Sequence, residues 1–476
     1  MKLKWFSALI ILAMIFVAAP PPAALAGAYE TSFVTSITYQ NVDTSATTNL
    51  RIYFYDSPND TTPIEIVRPN LNPNASSSIF IGSLSEISPG FRGTAVLASD
   101  KRMIATLVQV PQGSADVKNR PLSNGFASGS ANSLIATVLK NQFAARQYTV
   151  FSVQNAGISA TSVAIKFYNT ANPPVLVHTI NVTLQPGAGY FVDTGTVSAL
   201  GSSFNGSAVI ESSGGSIISS AMELDSNGVG AKAFEGLGSG ATTFYMPSAL
   251  CNYLVSGVPQ NTYYAIQNTS LTQSTNVTVT YSNGATQSTT TPIGPGGKFS
   301  FTTCNATGMT NNWQGSAKVV SSTTPIIAVG KANGGGLSTA YVGFTTGASK
   351  IGLPYVRWSE TQFFTGQRQR TNIAIQNIGS STITGDILVK YIDPNGVVVG
   401  THTITTDVPP EGKVSSNPMN ATPQLPEFGY FGGGIGGGVI IEAPAGSQLV
   451  AIARVNSYVP SRNERAGEDY NGVGIP

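Results

Sequence analysis

Charge is scarce in this 476-residue chain: 10% of residues are Asp, Glu, Lys or Arg, against about 25% in an average globular domain. The 25 basic and 23 acidic residues leave a net charge of +2, which provides no electrostatic footprint for nucleic acid. Histidine and cysteine occur twice each. His178 and His402 occupy matching places in two different repeats, as His178-Thr179-Ile180 and His402-Thr403-Ile404, so they do not converge on one metal or triad centre. Neither a G-x-S-x-G elbow nor an H-E-x-x-H helix is present. Helical periodicity is missing beyond the N-terminal leader, and no later segment is apolar for the roughly 20 residues a membrane helix needs. The expectation is a non-enzymatic chain with no cofactor and no metal.

What the chain has is repetition. Gln-Asn recurs at Gln40-Asn41, Gln154-Asn155, Gln267-Asn268 and Gln376-Asn377, each closing a run with apolar residues two apart, such as Ile373-Ala374-Ile375. That is the period of a strand with one buried face. Thirteen or fourteen residues after each Asn a second strand ends at Tyr55, Tyr168, Tyr281 or Tyr391. A turn follows at Pro73, Pro186-Gly187, Pro295-Gly296 or Pro410-Glu411-Gly412, a proline-then-glycine signal. A further strand opens with aromatic-x-Gly at Phe91, Phe204 and Trp313; the fourth repeat has a glycine run around Gly437 instead. A period near 110 residues exceeds the roughly 20 to 50 of solenoid units and suits a sandwich of about 100 residues. The expected fold is all-β, with four tandem Ig-like sandwiches over residues 27–132, 133–243, 244–350 and 351–476.

The first residues say where such a protein goes. Lys2 and Lys4 precede an apolar stretch, and Ala24-Leu25-Ala26 supplies small residues, so residues 1–26 read as a secretory signal peptide and the mature chain as extracellular or cell-surface. In an oxidising compartment Cys251 and Cys304, both in the third repeat, form a disulfide candidate. Sequons at Asn74, Asn181, Asn205, Asn276, Asn305 and Asn420 mark glycosylation only in a host that glycosylates.

The remaining motifs are weak. Gly432–Gly438 contains a formal G-x-G-x-x-G, without the helix and acidic residue that a dinucleotide site needs. Asp225-Ser226-Asn227-Gly228 and Asp393-Pro394-Asn395-Gly396 resemble pieces of calcium loops but lack the distal glutamate, and read as β-turns. Asn41, Asn155, Asn268 and Asn377 read as turn-shaping residues that bond the backbone two positions on, with a repeated sugar site as the alternative.

The apolar-x-apolar-Gln-Asn strand, the strand ending in Tyr and the Pro-Gly turn together resemble bacterial extracellular Ig-like repeats of the cell-adhesion-related (CARDB-like) type. The resemblance implies tandem β-sandwiches and a surface role, and transfers no binding residue. Each inner junction carries an apolar strand about 20 residues before its Gln-Asn: Ser133–Lys140, Phe244–Cys251 and Ile351–Trp358. The first repeat has Pro22–Leu25 there, inside the leader, while Gly472–Pro476 at the end of the chain resembles the start of such a strand. These ends suggest self-association by strand addition, against the simpler reading that the last residues pair within repeat four. The functional expectation is a secreted structural or adhesive surface protein. The alternative is a string of carbohydrate- or polymer-binding modules, with a surface polysaccharide as partner.

Overall fold

The computed structural model describes residues 32–112, 118–171, 173–226, 230–255, 257–360, 368–429 and 436–476. The leader expected over residues 1–26 lies outside them. Two-residue periodicity folds as strands throughout, and no α-helix occurs among the described residues.

The first repeat forms β1 (Phe33–Asn41), β2 (Thr48–Tyr55), β3 (Ile64–Leu71), β4 (Ser76–Phe80), β5 (Thr94–Ser99), β6 (Met103–Pro111) and β7 (Leu122–Asn124). The second forms β8 (Asn132–Lys140), β9 (Gln147–Asn155), β10 (Thr161–Asn169), β11 (Leu176–Leu184), β12 (Gly189–Asp193), β13 (Phe204–Ser212), β14 (Ile217–Asp225) and β15 (Ala231–Glu235). The third forms β16 (Thr243–Cys251), β17 (Tyr253–Val255), β18 (Val258–Asn268), β19 (Val277–Tyr281), β20 (Thr286–Ser288), β21 (Lys298–Thr302), β22 (Trp313–Ser321), β23 (Ile326–Gly334) and β24 (Leu337–Val342). The fourth forms β25 (Lys350–Val356), β26 (Trp358–Ser359), β27 (Arg368–Asn377), β28 (Ile387–Ile392), β29 (Val398–Ile404), β30 (Lys413–Ser416), β31 (Gly437–Glu442), β32 (Leu449–Val459), β33 (Glu464–Asn471) and β34 (Val473–Gly474).

Eight antiparallel sheets pair into sandwiches. The Gln-Asn strand is interior to one sheet of each repeat: β4-β1-β6-β7, β12-β9-β14-β15, β17-β18-β23-β24 with β21 also on β18, and β26-β27-β32-β33 with β30 also on β27. The tyrosine strand lies in the facing sheet: β3-β2-β5, β11-β10-β13-β8, β20-β19-β22-β16 and β29-β28-β31-β25-β34. Repeats two to four thus carry a junction strand (β8, β16, β25) that the first lacks among the described residues. Where β8, β16 and β25 meet their partners the register slips, between Gly206 and Ala208, Met246 and Ala249, and Leu353 and Val356. Pro247 and Pro354 fall in two of these bulges, where a missing N–H breaks no ladder bond.

Inside each sandwich one aromatic pair recurs, edge to face, at centroid separations of 6.2, 6.4, 5.9 and 5.4 Å: Phe54–Phe91, Phe167–Phe204, Tyr281–Trp313 and Tyr391–Phe428. The second ring of each pair covers a glycine. A Cβ built on Gly93, Gly206, Gly315 or Gly437 would stand 2.6, 2.6, 2.3 or 2.2 Å from it, so only glycine fits. In the fourth repeat the ring comes from Phe428, nine residues upstream of Gly437, across the glycine run, most of which lies outside the described residues. The four tyrosines are accordingly not equivalent. Tyr281 and Tyr391 are core residues, whereas Phe54 and Phe167 fill that place in the first two repeats and Tyr55 and Tyr168 lie one residue further on.

The end of the chain pairs within the fourth sandwich: Val473 and Gly474 lie opposite Gly352 and Ile351, and the Ile475 N–H donates to the Lys350 carbonyl at 3.0 Å. This follows the second and third repeats, where Leu237 and Phe344 bridge to Leu134 and Tyr245 of the junction strands. The simpler reading of the C-terminal residues is the one the fold adopts.

Candidate functional site

The Gln-Asn pair divides into two jobs. The Asn side chains are 0–1% exposed and each ties together three pieces of its own sandwich. Asn377 Nδ2 donates to the carbonyls of Ser381 and Val408, both at 2.9 Å, and its Oδ1 accepts from the Gly379 N–H at 2.9 Å. Asn155 makes the same set with Ser159, Leu184 and Gly157. Asn41 and Asn268 add a third carbonyl, Asn72 and Gly294. An amide is the side chain that can both donate to carbonyls and accept from an N–H at one buried spot.

The glutamines face the turn that meets the preceding sandwich. Gln154 Nε2 donates to the Gly187 carbonyl at 2.8 Å and across to Ala95 of the first sandwich at 3.3 Å. Gln376 repeats this with longer contacts of 3.5 Å to Glu411 and to Ala317 of the third sandwich. The same turn carbonyl also accepts a hydroxyl from the preceding sandwich: Thr94 to Gly187 at 2.9 Å, Ser207 to Gly296 at 2.7 Å and Ser316 to Glu411 at 2.7 Å. Thr94, Ser207 and Ser316 each follow the aromatic-covered glycine, so one joint is built three times from equivalent residues. Tyr55 and Tyr168 press on Gly187 and Gly296, both held at positive φ (+77° and +70°).

The fourth sandwich meets the first through the same surfaces. Gly438 stands where Thr94, Ser207 and Ser316 stand elsewhere, and a Cβ on it would lie 2.6 Å from the Gln40 amide nitrogen; a Cβ on Gly396 would lie 2.0 Å from the Pro73 carbonyl. With no hydroxyl available, this joint is apolar: Val42 and Ile104 pack against Ile392, Ile440 and Ile475. The four sandwiches therefore close head to tail into a ring within one chain.

At the centre of the ring β7, β15, β24 and β33 pack successively, the last against the first. This hub is polar. Asn119 bonds Gly336, Ser338 and Gly467; Asn124 bonds the Glu235 carboxylate and the Asn471 carbonyl; Asn471 exchanges two bonds with Val342. Arg120 of the first repeat pairs with buried Glu468 of the fourth, and Thr339 Oγ1 donates to Asp469 at 2.9 Å, itself paired with Arg454 at 2.6 Å.

Between the second and third sandwiches Glu223 receives Lys331 at 2.6 Å and Lys232 at 3.5 Å. Burial pushes its carboxyl up, but the Lys331 and Lys232 ammonium groups outweigh that and hold it at about 2. Lys298 donates to Thr137 at 3.0 Å and to Asn205 at 2.8 Å. Burial, then repulsion from Lys331, lowers it to about 7 against the pull of Glu223. Lys413 begins β30 as Lys298 begins β21, and burial and then Arg454 lower it to about 8.

Cys251, ending β16, is joined to Cys304 in the turn after β21, with Cα atoms 4.9 Å apart. His178 stacks on Phe167 at 6.3 Å, while His402 Nδ1 meets Ser416 Oγ at 2.9 Å and is lowered by burial; they lie in different sandwiches. Asp393 Oδ1 accepts from the Asn395 and Val397 N–H groups, a self-satisfied turn at the ring closure. Asn227 and Gly228 lie outside the described residues. A cleft of about 370 Å³ at one end of the hub is lined from all four repeats, by Phe126, Leu237, Phe344 and Val473 among others.

No protein-family profile matches the chain, and no curated protein matches it. Among solved structures it is similar, at 14% identity over 95% of this chain and 97% of the other, to one described as the crystal structure of a tetra-tandem repeat in the extending region of a large adhesion protein, with a TM-score of 0.10.

Proposed function

We propose that the chain is a secreted, non-catalytic structural or adhesive unit of the cell surface, related in kind to the cell-adhesion repeats its motifs resemble and presented as a rigid four-lobed body. The observation that carries this reading is where the polar chemistry goes. Glu223, Lys331, Arg120, Glu468, Asp469 and the Gln-Asn amides are all engaged in fastening strands and sandwiches to one another. A weakly charged exterior lets such bodies pack side by side with few charges to desolvate, and the disulfide fits an oxidising compartment. Electron microscopy of the purified protein and of cells with and without its gene tests the reading. An ordered layer or fibre, or impaired attachment on deletion, is expected. A dispersed protein whose loss changes neither the envelope nor attachment contradicts it.

A further inference from the structure

Among the described residues the first sandwich has an open strand edge. In the other three, β13, β22 and β31 are flanked by the tyrosine strand on one side and by a junction strand on the other. Five residues beyond the joint position, Ser212, Ser321 and Ala443 donate their N–H groups at 2.8 Å to Ala131, Thr242 and Ser349, each just ahead of the junction strand. Ser99 holds the same register on β5, and among the described residues β5 pairs with β2 alone. The cost is visible in burial: none of the six residues of β5 is buried, whereas the first five of β31 all are. Junction strands bring Ile135 and Val138, Phe244 and Met246, or Leu353 into their cores. The first core receives no such strand from the described residues, and Phe91, Ala95, Leu97 and Leu107 are half-buried.

No other strand among the described residues meets this need. In the second and third repeats the junction strand ends at Lys140 and Cys251, and the Gln-Asn strand begins at Gln147 and Val258. Counted back from Phe33, that spacing falls in the sequence on residues 18–26, Ala-Ala-Pro-Pro-Pro-Ala-Ala-Leu-Ala. Three successive prolines offer no N–H to a ladder, and the expected cleavage site falls at the same place. The last strand of the chain is already paired with β25.

The open edge is also unguarded. β3, at the opposite side of the sheet, carries Glu65, Arg68 and Pro69, devices that discourage edge pairing. Thr94–Ser99 reads Thr-Ala-Val-Leu-Ala-Ser, with neither charge nor proline. We propose that β5 pairs with β5 of a second copy of this chain, antiparallel about a two-fold axis, to form a continuous six-stranded sheet. The edge is self-complementary. The Ala95 carbonyl meets Gln154 on the open side, so by alternation Ala95, Leu97 and Ser99 present their backbone groups outward. Centred on Leu97, two such edges match 95 with 99 and 97 with 97, and the half-open cores meet through Leu97. The Gln154 contact leaves room for a strand beside β5, because Gln376 contacts the Ala317 carbonyl in the same way while Ala317 remains paired with Met246.

The inference deepens the proposed role as an assembling unit, and light scattering after gel filtration of mature protein, residues 27–476, separates the two. A dimer is expected, with its dissociation constant raised at least tenfold by Val96→Lys, whose side chain points away from the core, and by Leu97→Pro, which removes an outward N–H. Circular dichroism of Val96→Lys confirms that it folds. A monomer at every concentration up to about 100 µM, or a dimer indifferent to Val96→Lys, overturns the strand pairing. A β5 dimer that never builds a layer or fibre and has no adhesive role leaves the pairing standing and removes the larger function; a layer built from β5-independent contacts does the reverse.

Discussion

At the residue scale the amide after each interior strand is where the fold concentrates its specificity. Asn377 answers two carbonyls and one N–H from separate segments while 1% exposed. Asn377→Ala removes all three bonds; the Val408 carbonyl keeps the Ile383 N–H at 3.0 Å and Ser381 is exposed to water, so each lost bond costs a net of about 0.5–1.5 kcal/mol. A loss of roughly 2–4 kcal/mol is expected in urea denaturation, with little effect on the disulfide-bearing third sandwich if the sandwiches unfold separately. The turn role of the four asparagines was legible in the sequence, because a strand end followed by residues such as Ala-Gly or Ile-Gly asks for a side chain that folds back onto the backbone. The role of the neighbouring glutamines was not. Their partners, such as Ala95 for Gln154, lie one repeat away in sequence, and periodicity within a repeat carries no information about contacts between repeats.

At the element scale the joint is a turn seated on a strand end. Gly187 has φ +77°, and a Cβ there would stand 2.3 Å from the Tyr55 ring. Gly187→Ala meets both a backbone penalty of about 1 kcal/mol and a clash that must push the first two sandwiches apart. Denaturation should show lower stability, and adding Tyr55→Ala should recover only the steric part. Electrostatics at the next joint gives a pH signature. An unfolded lysine titrates near 10.4, whereas Lys298 is held at about 7. Between those values the unfolded chain binds the extra proton, so stability rises with pH from about 7 to about 10. Lys298→Met should flatten that rise, while Lys413, at about 8, preserves part of it. A slope unchanged in Lys298→Met contradicts the assignment. The succession of strands along a repeat was readable from landmark residues, but Phe428 was not. The covering aromatic stands nine residues before Gly437 instead of two, and its edge-to-face geometry with Tyr391 and its closeness to Gly437 identify it.

At the scale of the whole molecule four sandwiches of one chain form a ring, because the surface each presents forward matches the surface the next presents backward. Such heterologous contacts make a ring when the rotation closes and a filament when it does not. Three joints use hydroxyls and amides, the fourth an isoleucine-rich patch. The 110-residue period announced four similar units, but it could not announce closure, which brings Ile392 and Ile440 against Val42 and Ile104, and Glu468 against Arg120, across most of the chain's length. Small-angle scattering of the monomeric Val96→Lys variant tests closure most directly. A closed ring should give a radius of gyration near the ~22 Å expected of a compact chain of about 450 residues. Adding Ile440→Asp, which places a charge in the closing patch, should increase it. A wild-type interface that leaves the four sandwiches strung out at roughly twice that radius, unchanged by Ile440→Asp, would contradict the ring.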